Sequence, residues 1–476
     1  MKYTPDKYNN NMKGSYYLNS IFKLIPINDD SPCLMLHPNQ RNKLDETMVN
    51  TTIHFGFQKT EVICKQLDTI KENEIGLSNS VIEYLKLPLE ADYEIAIQNG
   101  EIIIGPFIGV LITNSQKKLK KSVNKLKQIK KLKQIKKQYR FVRGVILALS
   151  EEGVDEKNSR VHGYYYNPSS KKWEEGTFPF PSVMVKRTSL SNDKKNYLKK
   201  LYGPRFFHLA GINKWKMYQR LRSNPDLLPH LPKTFLYKKP EDILKYLKEL
   251  GTIYVKPLSG SQGIGIEKFI AEHDHYCVKF RQKKKNTTIR FSSDTELLDY
   301  VNSKFKSKNF IIQQQIDIEI EKNHPLDFRI ALIKDQSGQW EDVGMVGRKG
   351  KKGSGISNLS SGGRMHNAQS LILTLFNLSE SEALSIRQKM SEISIKAVKE
   401  IDKYDSIFKS GVDIAIDRDL RIWIIELNNR SPYLKFSKAG LKSTNKIARK
   451  SRMLYAKYLA GFPKEKKDSE QSALLW

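Results

Sequence analysis

Hydrophobic and polar positions change rhythm several times along this 476-residue chain, and each rhythm predicts a different element. Residues 1–30 are rich in Asn, Lys and Tyr without periodicity and read as a loosely ordered arm. Across 31–104 the runs "TTIHFGF", "TEVICKQL" and "YEIAIQNGEIII" surround a helix-like "SNSVIEYLKL", which predicts a small β-rich domain. "GPFIGVLIT", "FVRGVILAL" and "VHGYYYN" then begin an α/β domain over 105–205, closed by the Pro-rich "GTFPFPSVMVKR". From 206 to 460 the texture changes again. "INKWKMYQRL" and "PEDILKYLKEL" read as helices, "GTIYVKP" as a strand, and "FIIQQQIDIEI" as a long alternating strand. "DFRIALIKDQSGQWEDVGMVGRKG" reads as two strands about the turn Ser337-Gly338, "SEALSIRQKMSEISIKAVKEI" as an amphipathic helix, and "GVDIAIDRDLRIWIIELNN" as a hairpin. Residues 461–476 form a polar tail.

One segment fits no amphipathic template. In "KLKQIKKLKQIKK", Lys125 to Lys137, the apolar Leu126, Ile129, Leu132 and Ile135 recur every three residues. On a helical wheel each steps back about 60°, so the four spread around half the circumference instead of holding one seam. The Lys-rich insertion 115–140 is therefore read as a solvated basic helix or a floppy insertion, with a polyanion-binding arm as the alternative.

Charge sharpens that picture. The chain carries a formal +31, and between Ile102 and Ser150 it has thirteen Lys and Arg and no acidic residue. Such a field attracts polyanions: nucleic acid, anionic lipid, or acidic polymer. Nucleic acid has no further support, since no zinc finger, RRM signature or basic-aromatic platform is present. No apolar run is long enough to span a membrane; the longest, Ile102 to Thr113, is broken by Gly105-Pro106. The N-terminus lacks the apolar stretch of a signal peptide. Three scattered cysteines, Cys33, Cys64 and Cys277, argue against a disulfide framework, so a reducing cytoplasm is the expected setting.

Candidate chemistry begins with the C-terminal hairpin. Alternation puts Asp413, Ala415 and Asp417 on one face of its first strand, and Glu426 and Asn428 on one face of its second. A four-residue loop, Arg418 to Arg421, sets Asp413 directly opposite Glu426; a shift of one register separates them. Opposed carboxylates repel unless something positive lies between them, and with the Asn428 amide oxygen the set suits Mg²⁺. The other reading is a charged solvent face. "VKPLSGSQGIGI", Val255 to Ile266, is a second candidate. Lys256 ends an apolar strand, and the small residues Ser259 to Gly265 let backbone N–H groups turn toward an anion; a flexible turn fits the same composition. In "EHDHYC", alternation would line His273, His275 and Cys277 along one strand face, three donors for a soft metal where a structural zinc site takes four.

The order of these parts carries a resemblance. Strand-Lys256, glycine loop, "IIQQQID", "DFR", "NLSSGG", then Asp413 and Glu426-x-Asn428 resembles the ATP-grasp enzymes over residues 206–460. With "GPFIGVLIT", "GYYYN", "FPFPSVMVKR" and "NKWKMYQRL" added, nearly the whole chain resembles the YheC/YheD family, described as endospore coat-associated ATP-grasp proteins. The resemblance implies an α/β (α+β) ATP-grasp fold preceded by an α/β pre-ATP-grasp domain and the N-terminal β-rich domain. It implies ATP held by Lys214 and Lys256, by the flap residues Ser259, Gly260, Ser261, Gly263 and Gly265, and by Asn358. Gln314, Gln315 and Ile316 would form the hinge at the adenine, with Asp317 or Glu319 on the ribose. Asp413, Glu426 and Asn428 would hold one or two Mg²⁺ ions. Asp327-Phe328-Arg329 resembles the D-x-R of amide-forming ligases, so Arg329, Arg348 and Lys256 would be catalytic.

The implied chemistry is carboxylate–amine ligation through an acylphosphate. The carboxylate and amine are unidentified, and acidic polymers or spore-coat components are further expected partners. The alternative is a non-catalytic coat or morphogenetic scaffold that binds ATP and acidic polymers. One departure bears on the acceptor side: "ELNNRSP" lacks the Gly that follows Pro432 in the E-x-N-x-x-P-G of many ligases.

Overall fold

The computed structural model describes residues 16–41, 49–124, 130–207, 211–260, 263–282, 285–307, 309–318, 324–350, 363–429 and 436–462. It divides into two compact units, one of residues 1–208, 334–339 and 449–476, the other of 209–333 and 340–448.

The first unit opens with seven strands in a closed barrel: β1 (Tyr16–Ile27), β2 (Cys33–Leu36), β3 (Asn50–Phe55), β4 (Gln58–Gln66), β5 (Glu74–Ser78), β6 (Tyr93–Gln98) and β7 (Glu101–Gly105), ordered β1-β5-β2-β4-β3-β7-β6. Here the structure corrects the expected N-terminal arm from Tyr16 onward, residues 1–15 lying outside the described residues. β1 runs parallel to β5 and antiparallel to β6, and Leu18, Phe22 and Leu24 are buried. The buried Leu18, Phe22 and Leu24 keep one parity across a register shift, but Ile21, Ile25 and Ile27 on the opposite face blur the alternation and hide the strand in the sequence.

A second sheet follows: β8 (Phe107–Thr113), β9 (Val145–Asp155), β10 (Arg160–Asn167), β11 (Lys172–Pro179), β12 (Val183–Lys186) and β13 (Phe206–Phe207), ordered β11-β10-β9-β8-β12-β13. β8 is parallel to both β9 and β12. Parallel neighbours need a crossover, and the Lys-rich segment supplies it as two helices, Gln116–Val123 and Lys130–Val142. Leu119, Val123, Leu132, Ile135, Tyr139 and Val142 are buried, so the segment is a packed crossover and not a solvated insertion. Extending the apolar count past Lys137 to Tyr139 and Val142 gives steps of three, four and three, which do hold one face. Leu126 and Ile129 lie outside the described residues. Leu132→Ala is accordingly expected to cost about 2–5 kcal/mol, readable as a fall in urea midpoint, where a solvated leucine would cost almost nothing.

The second unit holds two further sheets. β14 (Thr234–Leu236), β15 (Thr252–Pro257), β16 (Glu267–Ala271), β17 (Tyr276–Gln282), β18 (Lys285–Phe291) and β19 (Phe310–Gln314) form one, ordered β14-β19-β15-β16-β17-β18. Ile253, Val255, Phe269, Val278 and Ile312 pack on Ile243 and Leu247 of the helix Pro240–Leu250 and on Leu297 and Val301 of the helix Asp294–Lys304. That alternation leaves Tyr254 and Lys256 on the opposite face. β19 stops at Gln314, earlier than the strand expected through "IDIEI": the Gln315 N–H bonds to the Thr252 carbonyl, and residues 315–318 run on without ladder pairing.

β20 (Leu326–Lys334), β21 (Trp340–Lys349), β22 (Arg364–Asn367), β23 (Lys409–Ile416) and β24 (Ile422–Asn428) form the other sheet, ordered β22-β21-β20-β23-β24. Its Phe328, Ile330, Leu332, Val412, Ile414 and Ile424 cluster with Met390, Ala397 and Ile401 of the long helix Glu380–Asp405 and with Met217 and Leu221 of the helix Lys214–Arg222. On β20's other face Ala331 and Ile333 pack with Phe436 and Ala448. The same face changes character toward Asp327 and Arg329, where the charged groups begin.

Candidate active site

The hairpin β23–β24 pairs Asp413 with Glu426, the pair expected from the sequence, by a different route. Ile416 pairs with Ile422, so the connection is one residue longer than the four expected. Asp417 closes it, its carboxylate accepting from the Asp419 and Arg421 N–H groups and from the Trp423 indole. A register shift between Asp413 and Ile414 then leaves Ile425 unpaired and brings the two carboxylates opposite each other again.

Positive charge arrives from the neighbouring strands. Arg329 pairs with Asp413 across β20 and β23 and grips it bidentately, Nη2 lying 2.7 Å from Oδ2 and Nε bonded to Oδ1. Arg348 on β21 is buried; its Nε donates to Asp327 Oδ1 at 2.6 Å, and its Nη2 bonds to Asp327 Oδ2 and lies 3.1 Å from Asp413 Oδ1. Asn428 Nδ2 donates to Asp413 Oδ2 at 3.2 Å. Burial pushes the Asp413 carboxyl up, but the two guanidiniums outweigh it and hold it below the usual carboxylate range.

Glu426 is the contrast. Burial raises its pKa above the ordinary glutamate value, the Asp413 charge adds to the rise, and Lys214, Arg329 and Lys256 offset it. Among the described residues its nearest ion partner is Lys214 Nζ at 3.9 Å. Lys214 is the first residue of its helix, capped by Asn213, and its backbone N–H donates to the Leu258 carbonyl just beyond β15. A further tie holds the helix to the hairpin: the Leu427 N–H lies 3.3 Å from the Met217 sulfur.

Lys256 is the last residue but one of β15, its Nζ donating to Gln313 Oε1 at 2.5 Å, and Gln313 in turn donates to Thr234 Oγ1 at 3.0 Å. Burial, with the neighbouring Lys214 charge, lowers its pKa to about 8, although Glu426 pulls the other way. Gln313 was not singled out from the sequence, where three consecutive glutamines gave no sign of which faces inward. The pairing of Tyr254 with Gln313 puts Gln313 on the Lys256 face, and its burial marks it.

The other expected residues are placed as follows. Ser259 and Gly260 are exposed in the loop after β15, and Gly263 and Gly265 take φ of 74° and 73°, a backbone that only glycine adopts readily. Ser261 and Asn358, with Glu319 and most of the "NLSSGG" loop, lie outside the described residues. Gln314 exchanges hydrogen bonds with the Lys233 backbone; Gln315 Oε1 is buried without a hydrogen-bond partner, and Ile316 is half-buried beside it. Asp317 is exposed and paired with Arg418 at 2.9 Å.

Whether these groups suit a divalent ion turns on free oxygen lone pairs. Asp413 already accepts four hydrogen bonds on its two oxygens, the full capacity of a carboxylate. Glu426 is a half-buried, under-neutralised oxygen donor, and the Asn428 carbonyl oxygen is left over when its amide nitrogen serves Asp413. Glu426 and Asn428 therefore fit a hard cation as they stand, and Asp413 joins them by giving up one guanidinium bond.

Residues 203–459 match the family model for YheC/D-like ATP-grasp proteins. The chain belongs to that family. The endospore coat-associated protein YheD of Bacillus subtilis (strain 168) is 25% identical over 407 residues, covering 82% of this chain and 86% of that protein. The endospore coat-associated protein YheC of the same strain is 23% identical over 318 residues, covering 65% of this chain and 83% of its own. Among solved structures, D-alanyl-alanine synthetase A of Vibrio cholerae O1 biovar eltor str. N16961 aligns at 12% identity and a TM-score of 0.38, over 74% of this chain and 96% of that one. ATP-grasp membership rests on the family model, and the mixed α/β architecture on the sheets and helices of the chain itself. No helix among the described residues is long and apolar enough to cross a membrane.

Proposed function

We propose that this ATP-grasp protein is an Mg-ATP-dependent carboxylate–amine ligase that works through an acylphosphate. The observation that carries the reading is the convergence of Lys214, Lys256 and Arg329 on Glu426 and Asp413, with Asn428 bonded to Asp413. Lys214 and Lys256 supply fixed positive charge for ATP phosphates, Lys256 pre-aligned by Gln313. Arg329 and Arg348 present planar guanidiniums suited to the oxygens of a transferring phosphoryl group. Bound Mg²⁺, with Glu426, Asn428 and Asp413 as its protein donors, would neutralise phosphate charge. The substrate carboxylate takes the γ-phosphoryl with loss of ADP; the amine then displaces phosphate, giving an amide. Forespore or coat association, in a cytoplasmic setting, is proposed on the strength of the relatives' names.

Incubation with Mg-ATP and a pooled cell or spore extract is expected to release ADP and form a new amide detectable by mass spectrometry. ATP binding without ADP release would overturn ligation. It would favour a scaffold that retains ATP and acidic polymers, a reading to which the saturation of Asp413 by two arginines lends support.

Lys256 gives a pH signature. A lysine with pKa about 8 is charged below that value and neutral above it, so ATP affinity should fall between pH 7 and pH 9. In Lys256→Met the affinity is expected to be weak throughout and to lose that slope, measured by ATP titration calorimetry.

A further inference from the structure

The turn between β16 and β17 carries donors that the ATP site does not use. Sequence alternation grouped His273, His275 and Cys277, but residues 272–275 form a turn and not a strand, and alternation fails there. The Glu272 N–H donates to the His275 carbonyl at 2.9 Å and closes the turn. Glu272, not His273, then joins the cluster: a carboxylate oxygen of Glu272, a ring nitrogen of His275 and the Cys277 sulfur lie within 4.8 Å of one another. His273 stays exposed.

Two details separate this trio from a chance surface group. His275 Nδ1 lies 2.6 Å from Asp274 Oδ1. A carboxylate only accepts, so Nδ1 carries the proton and Nε2 of the neutral ring is left with its lone pair. Nε2 is buried without a hydrogen-bond partner, and Glu272 Oε2 stands 2.9 Å away. Two lone pairs at that distance repel unless a proton or a metal ion lies between them, and the Nε2–Oε2 contact does not have the geometry of a hydrogen bond. A carboxylate on the far ring nitrogen is the outer arrangement found on metal-binding histidines, where it fixes the tautomer and raises ligand basicity. Beside them Cys277 is only 2% exposed.

We propose that Glu272, His275 and Cys277 form a three-donor site for Zn²⁺ or a similar divalent ion, with Asp274 orienting His275 and solvent in the fourth position. Nitrogen, oxygen and sulfur together select a borderline-soft metal over Mg²⁺. Zinc bond lengths place tetrahedral ligand atoms roughly 3.3–3.8 Å apart, so the exposed Glu272 side chain needs only a small adjustment. β15 runs into the glycine loop and β16 returns from it, which puts this turn at the opposite end of the hairpin, about 16 Å of strand away. The ion would fasten the β16–β17 turn without entering the ATP site.

The test is titration of the full chain with Co²⁺ after chelator treatment, in excess Mg²⁺. Saturable one-to-one binding is expected, with a thiolate charge-transfer band in the near ultraviolet that Zn²⁺ displaces. Cys277→Ser should remove the band. Glu272→Gln and Asp274→Asn, both at exposed carboxylates that the fold does not need, should weaken binding by about 10–100-fold. Glu426→Gln should leave the titration unchanged, so the outcome is independent of the ligase reading. A band that survives Cys277→Ser, or binding indifferent to Glu272→Gln, would overturn the site and leave an ordinary Glu272–His275 ion pair.

Discussion

Glu426→Gln is expected to lower Mg²⁺-dependent ADP release by at least about 100-fold, comparable to removal of one preorganised transition-state donor, without destabilising the protein. The two halves of that expectation have separate causes. Activity falls because the amide cannot supply the anionic oxygen that a divalent ion requires beside Asn428. Stability holds because the glutamate is in an unfavourable place when ionised. Its folded pKa is raised, first by burial and then by Asp413. The folded protein therefore binds that proton more tightly than the unfolded chain, so the ionised group detracts from stability at neutral pH, and the cost disappears as pH falls through the folded pKa. Gln, nearly isosteric and neutral, removes the cost. Thermal melts at pH 7 should show an equal or higher Tm, and the variant's stability should vary less with pH. Full turnover in this variant would remove Glu426 from the chemistry, and a collapsed Tm would make it a structural anchor for Lys214.

Such a site is only partly readable in a linear chain. What alternates within one hairpin is readable, because the strand period is short and both strands are contiguous in sequence. Even so, the Asp413–Glu426 pairing results from a longer loop and a bulge that cancel, a compensation that no count of residues reveals. Lys256 and the positive-φ glycines are legible for the same local reason.

Partners from distant strands are not legible. Arg329 meets Asp413 across 84 residues of chain, and Arg348 reaches the same carboxylate from a third strand. Nothing in "DFR" says that its Asp and Arg serve two different partners. Two-faced apolar runs and run boundaries account for the other failures. Ile21, Ile25 and Ile27 opposite the buried face of β1 mask its alternation, and the Lys-rich helix shows its buried face only when the count passes Lys137. Gln313 is indistinguishable from its two neighbours until the β15–β19 register is known.

The second large effect belongs to that non-local network. Arg348→Leu is expected to lower the unfolding free energy by about 3–5 kcal/mol, the usual result of removing one partner from a buried ion cluster. Asp327 loses both bonds of its guanidinium fork, and Asp413 keeps only Arg329 and Asn428. An exposed pair such as Lys248–Asp294 sets the contrast, since Lys248→Met should leave the urea midpoint almost unchanged.

The pH dependence should shift as well. A carboxylate whose folded pKa is depressed contributes stability above its unfolded pKa, and that contribution is lost as pH falls through the folded value. With Arg348 removed, burial of Asp413 is offset by one guanidinium fewer, so its depression shrinks and acid unfolding begins at higher pH. Urea midpoints from pH 3 to pH 7 would show this directly. Adding Asp327→Leu to the variant should recover most of the lost stability, because both charges then leave the core together. ADP release should not recover, since the doubled variant still lacks the Arg348 guanidinium. Recovery of stability without recovery of turnover is the result that distinguishes a catalytic arginine from a purely structural one.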